Sequence, residues 1–336
     1  MVVIAVTGMT ACGVGERPIM GEASLSLDEP SPSSVDDEVA APGQSRPVDE
    51  VLTEVPPPLP GLEVLGDAPP AVISPTGVLL PVLSWDATGF LVQTPCGAQT
   101  PLSWGQPVES ARVVLDPGHG GDEEGAIGPN GETEAELNLD ISRRAARMLE
   151  AAGYPSVLTR MSDYRLPIRT RADLADRLQA DVFISVHHNS PTLNTSPTPG
   201  TEVYVQLSSD ASKRLGGLLY EEILSQLSVF DVAWSSAETP GVITVVNAEG
   251  ENAYGINRYP STPSVLAEFA YISNPSEATL LATDEYRQAA ATAVAHAAVR
   301  YLETTDPGSG FVERPRLVEF AGGTGGFDDC VDPVLE

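Results

Sequence analysis

The sequence predicts an α/β domain, a twisted, mostly parallel sheet flanked by helices. Three observations support this. Between Arg112 and Leu302, short apolar runs alternate with amphipathic helical segments. The runs VVLD, VFISV and SVLAEF are almost continuously apolar, as strands covered on both faces are. Polar or charged residues (Asp116, His187-His188 and Glu268) stand at or beside the end of each, and open α/β sheets display functional groups at the carboxyl ends of their strands.

Taken in order, residues 1–23 begin MVVIAVTGMTAC, an apolar stretch of signal-peptide size that is too short to span a bilayer. Met9-Thr10-Ala11-Cys12 resembles the lipobox of bacterial lipoproteins, which implies export and a lipid anchor on Cys12. Residues 24–71 (DEPSPSSVDDEVAAPG, then VPPPLPG) have too little apolar surface to offset their ordering entropy, so they read as a disordered Pro/Ser/acidic tether. Residues 72–108 alternate apolar runs with turn signals and predict a small β module preceding the main domain.

The main domain, residues 109–304, opens with the strand RVVLD (112–116). Thr133 to Gly153 reads as a helix with Leu137, Ile141, Ala145, Met148 and Leu149 on one face. PSVLTR is the next strand, followed by a helix near Thr170–Gln179. DVFISV and TEVYVQL are further strands, and Asp210–Leu227 is a helix with leucine or isoleucine recurring every four residues from Leu215. The segment 228–263 reads as a long irregular connection, functional by its position, without the pattern of an autoinhibitory helix. SVLAEF is a strand and Asp284–Leu302 an Ala-rich closing helix; residues 305–336 read as an irregular, Gly-rich acidic tail.

The net charge of −29 excludes nucleic acid as a partner. In an exported chain, Cys96 and Cys330 are candidates for a disulfide tying the β module to the tail. Only four histidines occur, and three (His119, His187, His188) fall at two strand ends. Asp116-Pro117-Gly118 is a turn that swings His119 over the sheet. Two imidazoles and a carboxylate, with one position left open, make a catalytic zinc site. Glu132, Glu134 and Glu136 compete to be the carboxylate. Thr133 and Glu136 have capping-box spacing, and Glu136 shares a solvated face with Asp140, Arg143 and Arg147. Glu134 lies on the buried stripe, so helix geometry selects it. His187 and His188 point to opposite faces of a strand, and periodicity does not choose between them. Glu268 stands next to last in SVLAEF; its structural alternative is an ion pair with Arg171 or Arg258.

Taken together, DPGHGG, Glu134, SVHHN and LAEFAYISNPSE resemble the zinc-dependent N-acetylmuramoyl-L-alanine amidases of the Amidase_3 type over residues 112–302. The resemblance implies Zn2+ held by His119, Glu134 and His187, with Glu268 as the catalytic base. It thereby chooses His187 over His188. It also implies hydrolysis of the amide between the lactyl group of N-acetylmuramic acid and L-alanine in peptidoglycan, in an extracytoplasmic setting. The alternative is a non-catalytic peptidoglycan-binding protein on a degenerate amidase fold. The sequence departs from the family at His188 (usually a small residue), at Asp176 (usually Asn) and at Ala270-Tyr271 (usually Gly-Phe). None of these removes a ligand.

Overall fold

The computed structural model describes residues 67–190, 200–231, 241–317 and 326–336. Cys12 and nearly all of the acidic Pro-rich stretch lie outside these residues. The described chain begins with an antiparallel sheet of β1 (Ala71–Ile73), β2 (Leu79–Asp86), β3 (Gly89–Gln93), β4 (Gln99–Leu102) and β5 (Gln106–Val108), in the order β4-β3-β2-β1-β5. Ala71, placed at the end of the tether by composition, is fully buried in β1.

The main sheet has seven strands: β6 (Val113–Pro117), β7 (Ser156–Leu158), β8 (Val182–Asn189), β9 (Glu202–Val205), β10 (Gly241–Val246), β11 (Ser264–Tyr271) and β12 (Arg316–Leu317). Their order is β12-β10-β9-β11-β8-β6-β7. Every neighbouring pair is parallel except β11 and β9. The carboxyl ends of β6, β8 and β11 are therefore adjacent, and the amino end of β9 meets them on the same side.

Among the described residues, six helices accompany the sheet: α1 (Glu134–Ala151), α2 (Ile168–Arg177), α3 (Asp210–Leu227), α4 (Gly255–Arg258), α5 (Pro275–Leu281) and α6 (Asp284–Glu303). The strands alternate between two cores. Along β8, Val182, Ile184 and Val186 join a core with α1, α3 and α6, whereas Phe183 joins one with α2, α4 and the small sheet. Period-2 side-chain alternation thus splits one apolar run between two layers. The start of α1 is capped as the sequence suggests, with the Thr133 hydroxyl accepting from Glu136 N; at α5 the Asn274 side chain accepts from Ser276 N and Glu277 N.

Two expectations need correction. The segment 228–263 contains a sheet strand, β10, and a helical turn, α4. GVITVV is apolar at nearly every position and sits between β9 and β12, where both faces are covered. The tail is also not wholly irregular. β12 pairs with β10, and the Cys96–Cys330 disulfide ties the tail to the small sheet. Thr76 Oγ1 donates to Val334 O at 2.6 Å, securing the same connection.

Candidate metal and catalytic site

The site begins where β6 ends. Asp116 is fully buried and paired with Arg171 at 2.8 Å, and it accepts from the Thr159 and Ser185 hydroxyls at 2.5 and 2.6 Å. Burial pushes its pKa up, but Arg171 and the two hydroxyls outweigh that and hold it below the usual range. The chain then turns over the sheet, with His119 at φ 62°, a left-handed conformation that non-glycine residues avoid. Two guanidinium groups hold this strained turn. Arg160 donates to Pro117 O (3.0 Å), Gly118 O (2.9 Å) and, on α1, Ala135 O (2.8 Å). Arg171 donates to Pro117 O (2.7 Å) and His119 O (2.8 Å).

Glu134 is the first residue of α1 and is buried. Its Oε2 lies 3.2 Å from His119 Nε2, and its Oε1 lies 2.9 Å from His187 Nδ1. The carboxylate also accepts from Ala126 N (3.0 Å), His188 N (3.1 Å) and Asn138 Nδ2 (3.3 Å). One ligand atom from each of His119, Glu134 and His187 falls within 4.8 Å of the other two. The imidazoles meet edge to face, with centroids 4.9 Å apart. Gly118 permits this approach, because a Cβ there would lie 2.2 Å from the His187 ring. Burial favours a charged Glu134 least, yet its histidine contacts prevail and hold its pKa well below the usual range. Burial lowers the pKa of His187; for His119 it acts the same way but is outweighed by Glu134, and the net shift is upward.

Glu132 and Glu136 do not join the cluster. Glu132 pairs with Arg287, and Glu136 is exposed at the helix start. His188 turns to the opposite face. Its Nδ1 lies 2.8 Å from Asn138 Oδ1 and its Nε2 3.0 Å from the Tyr286 hydroxyl, and burial lowers its pKa to about 3. A neutral ring satisfies every atom if Tyr286 donates to Nε2 and Nδ1–H donates to Asn138. Asn138 then donates to Glu134 and, at 3.4 Å, to Gly118 O. Sequence reasoning missed Arg160, Asn138 and Tyr286. Asn138 carried a signal, lying four residues after Glu134 on the same helical face.

Glu268 faces His187 across β8 and Glu202 across β9. Neither proposed ion pair forms: Arg171 is taken by Asp116, and Arg258 donates to the Tyr259 hydroxyl. Glu268 Oε2 is buried and, among the described residues, has no hydrogen-bond partner. Burial first, then the charges of Glu134 and Glu202, raise its pKa well above the usual carboxylate range. A cleft of about 190 Å³ runs between His119, His187 and Glu268 and an apolar wall that includes Ile168, Tyr254 and Ile256.

The Amidase_3 model, N-acetylmuramoyl-L-alanine amidase, matches residues 113–300, the span that carries all four of these side chains. The chain belongs to this amidase family. It is 32% identical to the Bacillus subtilis protein YqiI over 200 residues, 59% of this chain and 88% of that protein. It is 36% identical to the B. subtilis N-acetylmuramoyl-L-alanine amidase LytC over 198 residues, 58% of this chain but only 36% of LytC's length. The crystal structure of an N-acetylmuramoyl-L-alanine amidase from Clostridium difficile 630 is similar at TM-score 0.51 and 26% identity, covering 59% of this chain and all of that one. The fold expected of the amidase family is the one observed here.

Proposed function

We propose that this chain hydrolyses the amide joining the lactyl carbonyl of N-acetylmuramic acid to the amino group of L-alanine in peptidoglycan, with residues 109–304 as the catalytic unit. The observation that carries this reading is the convergence of His119, Glu134 and His187 beside an unpartnered, buried carboxyl oxygen of Glu268. Two imidazoles and one carboxylate form a donor set that suits zinc and leaves a coordination position open. Zinc held there supplies Lewis-acid polarisation of the scissile carbonyl and makes water more acidic.

The remaining chemistry belongs to the protein. Glu268, in its ionised form, takes the proton of the attacking water and delivers it to the departing alanine nitrogen. Its raised pKa makes it a stronger base than an exposed glutamate. Glu134 is kept anionic and oriented by three donors besides the histidines, and His119 is held by the carbonyl contacts of its turn. The apolar wall of the cleft limits water around the reacting carbonyl.

We place the protein outside the cytoplasm, where peptidoglycan lies and where the Cys96–Cys330 disulfide persists. The motif ending at Cys12 supports a lipid anchor, and the acidic Pro-rich segment after it supports a tether between that anchor and the enzyme.

The test is wall digestion by zinc-loaded protein, read by mass analysis of the soluble products. Free stem peptides with an unblocked L-alanine amine, together with glycan ending in lactyl carboxylate, are expected. Glu268→Ala should retain zinc and lose roughly 10²–10⁴-fold in rate. Equal release by the wild type and Glu268→Ala would sink the enzyme reading in favour of a non-catalytic wall binder.

A further inference from the structure

A positively charged pair stands beside the apolar wall of the cleft, on residues with no part in the metal cluster. α2 and α4 meet there. Gly255 of α4 lines the cleft, and a Cβ on it would lie 2.8 Å from Ile168 Cγ2 and 2.9 Å from the Tyr259 ring. Ile168, the first residue of α2, lines the same wall. Arg169 follows Ile168 directly, and Arg258 comes one helical turn after Tyr254, a further wall residue. Tyr259 gathers both arginines. The guanidinium carbon of Arg169 lies over its ring, 4.0 Å from the centroid, and that of Arg258 lies 5.0 Å from the same point. Arg258 Nη2 also donates to the Tyr259 hydroxyl at 3.1 Å, so this group sits toward the hydroxyl edge while Arg169 stacks on the face.

A stacked guanidinium uses its flat face on the ring and keeps its N–H donors in the plane, directed outward. Arg169 is exposed, so a ligand can reach it. Two like charges held against one ring repel each other, and an oxyanion beside them turns that repulsion into attraction. A fork of parallel N–H groups fits a planar carboxylate. The rest of the molecule works the other way. The net charge is −29, and Glu123 borders the cleft beside His119, so an anionic substrate meets general repulsion. Salt screens that field over about 8–10 Å, which leaves a local cationic pair to set the sign at its own surface.

We propose that Arg169 and Arg258, gathered on Tyr259, form a carboxylate subsite that takes a carboxylate of the peptide beyond the alanine whose amide is cut. That this peptide is the peptidoglycan stem rests on the amidase reading; the anion chemistry of the pair does not. Charge decides for peptide over glycan. In the uncut substrate the lactyl carboxyl is tied up in the scissile amide and N-acetylated hexosamines are neutral, so the carboxylates lie on the peptide. The pair adjoins the wall that faces His119, His187 and Glu268 across the cleft. A peptide running from the scissile carbonyl along that wall brings its next acidic group to the arginines. The subsite therefore selects stems with a free acid there over stems in which it is a carboxamide.

Calorimetry on zinc-loaded, full-length Glu268→Ala protein measures binding without turnover. The probes are two N-acetylmuramoyl tripeptides that begin with L-alanine and are amidated at the C-terminus. They differ only in whether the free carboxyl of the following D-glutamyl residue is an acid or a carboxamide. The acid should bind about ten-fold more tightly. Arg169→Gln together with Arg258→Gln should abolish that preference and leave affinity for the carboxamide unchanged. Circular dichroism checks the fold; if the double variant misfolds, Arg169→Gln alone, at an exposed position, should lower the preference about three-fold. Equal affinity of the parent for the two peptides, or binding of neither, overturns the subsite. So does an acid preference that survives in the folded arginine variant, because another group would then read the charge. Wild-type protein that releases no alanyl peptide from either probe, while the binding preference still depends on the arginines, would instead refute the amidase reading alone.

Discussion

Replacing Arg160 with methionine tests whether the carbonyl contacts around the His119 turn set the geometry of the metal ligands. Arg160 is fully buried and binds the carbonyls of Pro117, Gly118 and Ala135, so it joins the His119 turn to the helix that presents Glu134. Three charge-assisted bonds at about 1.5–3 kcal/mol each set the gross scale of the interaction. Burial of the guanidinium offsets part of it. Burial is the largest cause pushing the Arg160 pKa from 12.5 down to about 10, a shift equivalent to about 3 kcal/mol. The difference predicts a net loss of about 1.5–6 kcal/mol for Arg160→Met, whose unbranched side chain fills much of the same volume. Because the two ligands are positioned through these carbonyls, zinc affinity should fall about 10–100-fold. Urea unfolding of the metal-free protein measures the first quantity, and competition with a chromophoric chelator measures the second. A variant destabilised as expected but binding zinc with wild-type affinity would refute the argument, since the ligands would then be positioned without Arg160.

Three further predictions concern separate parts of the molecule. Gly118→Ala places a Cβ 2.2 Å from the His187 ring, so the protein should fold but bind zinc at least about ten-fold more weakly; unchanged chelator competition would count against the close approach seen here. Glu277 is buried and accepts from Tyr271 N and Gly200 N, and burial raises its pKa to about 8 despite those donors. Its folded-state pKa exceeds its unfolded value of about 4.3, so its contribution is complete below that pH and is lost as pH rises through about 8, with a limiting slope of about 1.4 kcal/mol per unit. Glu277→Gln should remove that slope, and unfolding curves at pH 5, 7 and 9 that run parallel to the wild type's would contradict it. Cys330→Ser opens a link between residues 234 apart in sequence and should lower stability by about 2–4 kcal/mol, with limited proteolysis cutting first in the released tail.

Much of the site was legible before folding, because local periodicity decides which side of an element a residue occupies. Glu134 was separable from Glu132 and Glu136 on that ground alone: a helix start buries one of the three, and the structure buries Glu134. The strand-end positions of His119, His187 and Glu268 were readable for a similar reason, since each ends a run too apolar to leave the core.

Other features were not legible, and the cause is physical. β8 is covered on both faces, so alternation offers His187 and His188 equally apolar settings. What distinguishes them is long-range: Tyr286 of α6 and Asn138 of α1 receive His188, while Glu134 receives His187. β10 is a six-residue apolar run bounded by Pro240-Gly241 and the Asn247–Gly250 turn, and it was masked by the polar, Gly-containing stretch around it. The role of Arg160 was invisible because the three carbonyls through which it joins the His119 turn to α1 lie 25 to 43 residues away.

The sequence by itself determined the fold class, the family, the carboxylate that joins the candidate metal cluster and the strand ends from which the site is built, since these follow from periodicity, capping and local motif. Only the tertiary structure decided how the ligands are held. The two arginines that support a left-handed His119, the His188–Asn138 relay to Glu134 and the unpartnered oxygen of Glu268 all depend on contacts between distant segments. Such contacts leave no local period in the chain, because they form only once the sheet has brought β6, β8, β9 and β11 side by side.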